Sequence, residues 1–391
     1  MPASIYLDNQ ATTPTDPRVR AALLPYLDAG RPGNPHSDHV IGRRASEAVE
    51  AARMQVAALI GALPHEIAFT SGATEANNLA LQGLARSSYR RGNHIITCST
   101  EHKCVLETAA FLQRNGFTVD VLPVCHDGLV DPQRLAEAIR GDTFLVSIMA
   151  ANNEIGVLQP LAEIAGICKK RGIIFHSDAA QAAGKISLNV KTLGVDMVSL
   201  SGHKLYAPIG VGALYISDEM TPALEPLILG GGQERGLRSG TLAPHLCVGF
   251  GSACAIAIEE QENDARFTAE LCEIFLGIVM DRCPDVRVNG HRTRRLPNNL
   301  SLTFPDVDAD RLVGCLQPDI AVSTNAACSS GVLMPSHVLR ALGLSESDAA
   351  STIRVGFGRF NTRVEVETAA RRLAEAAERI RRSEKLGTAA E

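Results

Sequence analysis

The sequence predicts an α/β protein, with a large domain around a mainly parallel seven-stranded sheet and a smaller α+β domain. Three observations carry this. Between about residues 45 and 220, short apolar β-branched runs alternate with helix-patterned segments, as in a sheet covered on both faces. Beyond about residue 258 the pattern changes to a long charged helix, scattered short strands and a closing helix. Polar, reactive side chains gather just after the apolar runs, where the strands of a parallel sheet end.

Ala45 to Leu59 has apolar residues at helical spacing, and Ile67 to Phe69 is the first strand of the large domain. Glu75 to Ala85 is a helix, His94 to Cys98 a strand, and His102 to Arg114 a helix that stops before Asn115-Gly116. Phe117–Leu122, Phe144–Met149, Gly172–Phe175, Met197–Leu200 and Gly212–Ile216 complete the seven strands. Glu259 to Met280 is the long charged helix, followed by short strands near Val286–Val288, Asn299–Phe304 and Ile320–Ser323. Val364 to Glu384 is the last helix, and the polar tail from Leu386 is expected to fray. The expected division is a large domain over 16–258 and a small domain built from 1–15 and 259–391.

Composition narrows the function classes. Apolar residues make up 45% and charged residues 21%, an ordinary globular balance. Lys+Arg number 38 against 43 Asp+Glu, a net charge of −5, without the basic block of a nucleic-acid or membrane-surface binder. There is no Trp and there are only 5 Tyr and 11 Phe, which argues against base-stacking platforms. The start of the chain lacks the pattern of a signal peptide, and every apolar run is broken too early for a spanning helix. None of the ten cysteines forms a C-x-x-C pair, so no zinc knuckle, dithiol motif or disulfide framework is expected. The expected setting is the cytoplasm, with reduced thiols.

Five polar clusters follow five strands: Ser71-Gly72-Ala73-Thr74, Glu101-His102, Asn152-Asn153-Glu154, Asp178 with Gln181, and Ser201-Gly202-His203-Lys204. Each has a plain reading. Ser71 to Thr74 could be an ordinary helix cap, or could cradle a phosphate with backbone N–H groups. Asp178 could cap Ala179–Ala183 or pair with a buried cation. His102 could be solvated or lie flat on an aromatic ligand. Lys204 is harder to dismiss, because it follows a buried strand and small residues after it leave room for a ligand. A desolvated lysine has a lowered pKa and can form a Schiff base. A phosphate cradle, a lysine and an aspartate for a pyridinium nitrogen are what pyridoxal phosphate requires of a protein.

Longer motifs run nearly end to end. They include Tyr6-Leu-Asp-Asn-Gln-Ala-Thr-Thr13, Gly33-Asn-Pro35, Phe69-Thr-Ser-Gly-Ala-Thr-Glu75, Thr100-Glu-His102, Asn152-Asn-Glu-Ile-Gly156 and His176-Ser-Asp178. Ser201-Gly-His-Lys204, the glycine-rich run from Gly230 to Thr241, Ala327-Cys328, Pro335 to Gly343 and Ile353-Arg354 follow in order. The set resembles the cysteine desulfurases, pyridoxal-phosphate enzymes of iron–sulfur assembly and nitrogen fixation. These are fold-type I transferases of the class V aminotransferase family.

The resemblance implies that Lys204 carries the cofactor as a Schiff base, that Asp178 pairs with the pyridinium nitrogen, and that His102 stacks on the ring and assists proton transfers. It assigns Asn153 and Gln181 to ring substituents, and Ala73, Thr74, Ser201 and His203 to the phosphate. Thr241 is assigned to the phosphate site of the other subunit of a homodimer. Arg354, Asn153 and Asn34 are assigned to the substrate, with the guanidinium suited to clamping a carboxylate.

Cys328 is expected to be the nucleophile. Nine of the ten cysteines lie in segments expected to be strand, helix or core-facing loop, where a thiol acts as a small hydrophobe. Cys328 lies in Thr324-Asn-Ala-Ala-Cys-Ser-Ser-Gly331, small and polar, within a loop expected over about 323–335. The resemblance is to the family's long-loop subgroup, although Asn325 and Ala326 stand where that subgroup has Gly-Ser. The implied reaction converts L-cysteine to L-alanine and leaves the sulfur as a Cys328 persulfide for an acceptor such as an iron–sulfur scaffold. No intrinsic metal is expected, and Cys328 could transiently ligate an iron–sulfur cluster together with that scaffold. An aminotransferase, a selenocysteine lyase or a β-lyase of the same fold is the alternative enzyme, and Cys328 speaks against the first. A non-catalytic sulfur carrier is the alternative from another class, against which Lys204 and Asp178 speak. No G-x-S-x-G elbow occurs, and Gly210-Val-Gly212 opens a strand instead of a dinucleotide-binding helix. The chain ends without the family's aromatic docking tail, so scaffold delivery, tRNA thiolation and a nitrogenase system all stay open as destinations.

Overall fold

Apolar runs flanked by glycine and polar residues become buried strands. The computed structural model describes residues 4–27, 33–220, 224–324, 327–329, 332–334 and 336–388, with backbone alone at 327–329, 332–334 and 384–388. After β1 (Ile5–Tyr6) come β2 (Ile67–Thr70), β3 (His94–Cys98), β4 (Thr118–Leu122), β5 (Thr143–Ser147), β6 (Ile174–Asp178), β7 (Met197–Ser201) and β8 (Gly212–Ile216). The last seven form one sheet in the order β2-β8-β7-β6-β5-β3-β4. β8 pairs antiparallel with both β2 and β7, and the other neighbours pair parallel. The expected mainly parallel sheet is therefore present. The carboxyl ends of β2, β3, β5, β6 and β7 consequently share one edge.

The remaining strands are β9 (Arg287–Val288), β10 (Asn299–Thr303), β11 (Ile320–Ala321), β12 (Ser323–Thr324), β13 (Ala327–Ser329), β14 (Val332–Met334) and β15 (Thr352–Gly356). A four-stranded sheet runs β12-β15-β10-β9, β1 pairs parallel with β11, and β13 pairs with β14. One apolar core joins Leu7 to Leu271–Val286, the small sheet and Val366–Ile380. Two others cover the faces of the large sheet, and Leu296, Val338, Leu339, Leu342 and Ala349 pack into one of these although they lie beyond residue 258.

Several elements differ from expectation for physical reasons. β6 begins later and runs on through His176, Ser177 and Asp178, because Gly172 ends the preceding helix at φ 65, a left-handed C-cap. Buried His176 is accommodated by hydrogen bonds to Ser147 Oγ (2.9 Å) and Ser199 Oγ (3.0 Å) on the flanking strands. The segment after Asp178 turns instead of forming a helix. The long helix starts at Pro244 and runs to Arg282, not from Glu259. Its Gly251 is a packing contact, since a Cβ there would lie 2.6 Å from Ala52 Cα on the helix Val40–Leu59. Residues 323–335, expected as loop, contain β12, β13 and β14, while Asn325 and Ala326 lie outside the described residues. Buried thiols account for Cys98, Cys168, Cys247, Cys254, Cys272 and Cys283 but not for the rest. Cys125 is exposed in a turn that its own N–H closes onto Leu129 O, Cys315 is exposed on the helix Ala309–Leu316, and Cys104 is only part-buried. Among the described residues no helix is long and apolar enough to cross a membrane.

Candidate active site

The five strand ends open onto one cavity of about 480 Å³. Ala73, Thr74, His102, Asn153, Asp178, Gln181, Ser201, His203, Lys204 and Arg354 all line it. Two expected residues do not. Asn34 is exposed and its Oδ1 accepts from His36 N (2.9 Å). Thr241 is exposed and lines a separate recess of about 130 Å³, which shares Ser71 and Gly210 with the cavity. Cys328 belongs to β13, facing Leu333 in the β13–β14 pair, and its side chain lies outside the described residues.

At one end of the cavity the helix Ala73–Arg86 begins without a side-chain cap, so the ordinary Ser/Thr cap does not form. Its N-terminal N–H groups and the positive end of its dipole make an anion site. Close packing permits this: a Cβ on Gly212 of β8 would lie 2.6 Å from Gly72 Cα. The glycine-rich segment beyond is tied to β2 by Glu234, which accepts from Phe69 N (2.6 Å) and pairs with buried Arg53 (2.6 Å).

Asp178 ends β6. Its Oδ2 accepts from Asn77 Nδ2 (2.7 Å) and its Oδ1 from Ala180 N (2.9 Å). His102 caps the helix Lys103–Arg114, with Nδ1 accepting from Cys104 N (3.2 Å). Neutral His102 therefore carries its proton on Nε2. Desolvation lowers its pKa, assisted by Lys204 and Lys103 and opposed by Asp178. Cys104 Sγ lies 3.0 Å from that Nδ1, and burial and then the charge of Asp178 push its thiol up to about 12.

Lys204 follows β7 through a single 3-10 turn. Its Nζ donates to the carbonyl oxygens of Gln10 (2.5 Å) and Ala11 (2.7 Å). Desolvation and then the positive charge of Arg354 bring the amine down to about 8, against the pull of Asp8 and Asp178. His203 is brought down to about 4 by burial and by Lys204 and Lys185, so it is neutral near pH 7. Arg354, on β15, donates from Nη2 to Asp8 Oδ1 (2.7 Å) and from Nη1 to Asn153 O (3.3 Å). Its Nε is buried without a partner among the described residues.

Sequence reasoning missed Asp8, Gln10, Asn77 and Cys104 as parts of this site. Asp8 and Gln10 sat in a recognised motif without a role. Asn77 and Cys104 read as ordinary helix residues, and only the fold brings them to Asp178 and His102.

A family profile described as aminotransferase class-V matches residues 5–368. The chain is 47% identical to the cysteine desulfurase IscS of Rickettsia typhi over 379 residues, 97% of this chain and 92% of that relative. A solved NifS-like protein superposes with a TM-score of 0.89 at 38% identity, covering 95% of this chain and 99% of its own. The solved structure of SspA in complex with cysteine gives a TM-score of 0.81 at 37% identity, covering 92% of this chain and 100% of its own. The chain belongs to the class-V aminotransferase family, among its cysteine desulfurases.

Proposed function

We propose that the protein converts L-cysteine to L-alanine, with Lys204 as the cofactor-bearing lysine and Cys328 as the sulfur acceptor. The observation that carries this reading is the convergence of a desolvated lysine, a carboxylate, an uncapped helix end and an arginine on one cavity. The family is pyridoxal-phosphate dependent, and the donor set fits that group. Lys204 Nζ hydrogen-bonds to neutral carbonyl oxygens and would bond to the cofactor's carbonyl carbon. Asp178 would take the ring nitrogen, His102 the ring face, and Asn153 and Gln181 its substituents. The uncapped helix end, Ser201 and neutral His203 would take the phosphate. When bound, pyridoxal phosphate supplies an electron sink for negative charge at the substrate Cα.

The chain's own residues supply the rest. Arg354, which lines the cavity, binds the substrate carboxylate, while Asp8 accepts from its Nη2 and steadies the guanidinium. Lys204, with a pKa brought to about 8, takes the Cα proton near neutral pH. His102 moves protons through Nε2. The Cys328 thiolate attacks the substrate sulfur, so the Cβ–S bond breaks as an S–S bond forms. One thiol proton ends on Cβ of alanine and the other on the Cys328 persulfide. That sulfur then passes to an acceptor protein such as an iron–sulfur scaffold. The similar SspA was solved in complex with cysteine, which supports cysteine as the substrate here. The exposure of Thr241 outside its own cavity supports a homodimer in which each copy completes the other's site.

The test is incubation of purified protein and pyridoxal phosphate with L-cysteine, scoring alanine and protein-bound sulfur with and without a scaffold acceptor. Alanine with a persulfide on Cys328 is expected. Pyruvate, or free sulfide formed independently of Cys328, would overturn the reading in favour of a β-lyase.

A further inference from the structure

Gln181 lies in the cavity wall, 4% exposed, shortly after Asp178. A carboxamide has an accepting end and a donating end of nearly equal shape, so its neighbours decide which way it faces. Both neighbours of Gln181 decide it alike. Lys185 Nζ donates to Gln181 Oε1 at 2.9 Å. The carbonyl oxygen of Gln10, which can only accept, lies 2.9 Å from Gln181 Nε2. One Nε2 hydrogen is thus used on Gln10 and the other is left for the cavity. Gln10 is itself fixed: its Nε2 donates to Asn298 O (2.9 Å), and its carbonyl also takes Lys204 Nζ.

Lys185 has no part in the mechanism above. Its hydrogen-bond acceptor is a neutral amide instead of a carboxylate, and the side chain is half-buried in recesses that also hold Asp264, Glu259 and Glu262. Burial, and then the positive charges of Lys204 and Arg354, bring it down to about 7. His203 also faces this group and is neutral there.

We propose that Lys185 is a positioning residue: by holding Gln181 Oε1, it makes Gln181 present only an N–H donor to the cavity, directed at the phenolic oxygen of bound pyridoxal phosphate. The role rests on the cofactor reading given above. That oxygen must accept, and an amide held by its own oxygen offers it only a donor, which favours the phenolate. Without Lys185 only the Gln10 carbonyl still favours this orientation, and the amide turns its oxygen inward more readily, where two acceptors would repel.

The test uses the holoenzyme and the visible absorbance of its bound cofactor, followed as a function of pH. Lys185→Met is expected to raise the midpoint of that titration by roughly one pH unit, because an amide no longer held with its donor toward the phenolic oxygen stabilises the phenolate less and so favours the protonated chromophore. Lys185→Arg is expected to restore most of the shift. In a Gln181→Ala background, Lys185→Met is expected to add little. A midpoint unmoved in Lys185→Met overturns the role, and so does a full shift in the Gln181→Ala background, which would mean that the charge acts without the amide. If Lys185→Met does not fold, Lys185→Gln serves: an upward shift supports the role and an unmoved midpoint overturns it. A wild-type protein that never develops the band overturns the cofactor reading and this role with it. A normal wild-type band with unmoved variants overturns this role alone.

Discussion

Asn77 Nδ2 donates to Asp178 Oδ2 at 2.7 Å, and Asn77 sits in the opening turns of the helix whose uncapped end faces the same cavity. One rigid element thus sets two distant parts of the site, the anion end and the orientation of the carboxylate. The same Nδ2 lies 3.1 Å from Cys104 Sγ, which in turn lies 3.0 Å from His102 Nδ1. Asp178 and His102 are therefore joined through the side chains of Asn77 and Cys104.

Asn77→Ala removes a fully buried donor to a carboxylate. A hydrogen bond to a charged group is worth about 1.5–3 kcal/mol, so pyridoxal phosphate is expected to bind roughly ten- to a hundredfold more weakly. Absorbance titration of the apoprotein measures this. Unchanged affinity would show that Ala180 N alone orients Asp178.

The lowered pKa of Lys204 gives a pH prediction. The free amine reacts, so development of the visible band from apoprotein and pyridoxal phosphate is expected to quicken about tenfold per pH unit at low pH. It is expected to level off near pH 8, the value to which burial brings the amine. Linkage has the same direction: the unfolded chain holds the extra proton between about 8 and 10.5, so this lysine favours the fold increasingly as pH rises through that window. A plateau only near pH 10 would contradict the burial argument. Lys204→Ala is expected to form no band at any pH.

Arg354→Lys keeps the charge but loses the planar fork that donates to Asp8 and Asn153 O at the cavity wall. KM for L-cysteine is expected to rise roughly ten- to a hundredfold, the equivalent of one charge-assisted hydrogen bond, with cofactor binding retained. Asp8→Asn is expected to raise KM less, because it loosens the guanidinium without removing it. Steady-state kinetics on both variants decide the matter, and an unchanged KM in Arg354→Lys would move the carboxylate site elsewhere.

Glu234→Ala tests what anchors the glycine-rich segment. Glu234 and Arg53 have side chains 2% and 4% exposed, and the carboxylate also accepts from Phe69 N. Removing Glu234 leaves Arg53 only the exposed Glu50 as a partner (3.0 Å), so the loss is expected toward the low end of the about 3–5 kcal/mol that breaking a buried pair costs. Denaturant titration is expected to show a loss of that size. A loss below about 1 kcal/mol would mean that the Arg53 guanidinium is solvated or re-paired once its partner is gone.

The sheet and the centre of the site were legible because each feature had a local cause. Apolar runs closed by Ser71, His102, Asp178 and Ser201 announce strand ends, and Lys204 after a buried strand announces a desolvated amine. Pairings between distant residues were not legible. Asp8 and Arg354 meet only because β15 runs beside the N-terminal segment, where Asp8 bridges to Gly356. The long helix was expected to begin at Glu259, yet it begins at Pro244 and carries Gly251, which lets two helices approach closely. Cys125 and Cys315 looked like core thiols because a cysteine's neighbours in sequence do not fix the face it occupies.

Cys328→Ala separates a desulfurase from a lyase on the same fold. The chemistry up to activation of the C–S bond is assigned to Lys204, Asp178, His102 and Arg354, none of which is a thiol. The variant is therefore expected to bind pyridoxal phosphate, to develop the same visible band, and to change that band when L-cysteine is added. Without an attacking thiolate the Cβ–S bond stays intact, so alanine formation is expected to collapse and no persulfide to form. Cys328→Ser is expected to fail equally, because a hydroxyl near neutral pH is far less nucleophilic than a thiolate. A lyase that expels sulfide would tolerate both changes. Cys104 is the competing thiol, since it lines the cavity beside His102. Its burial holds it up near 12, almost wholly protonated at pH 7, and a thiol in that state is a poor nucleophile. Mass spectrometry after a single turnover is accordingly expected to find one added sulfur on the peptide containing Cys328 and none on Cys104. Sulfur on Cys104 instead would keep the cavity and the cofactor but reassign the nucleophile to the residue that touches His102.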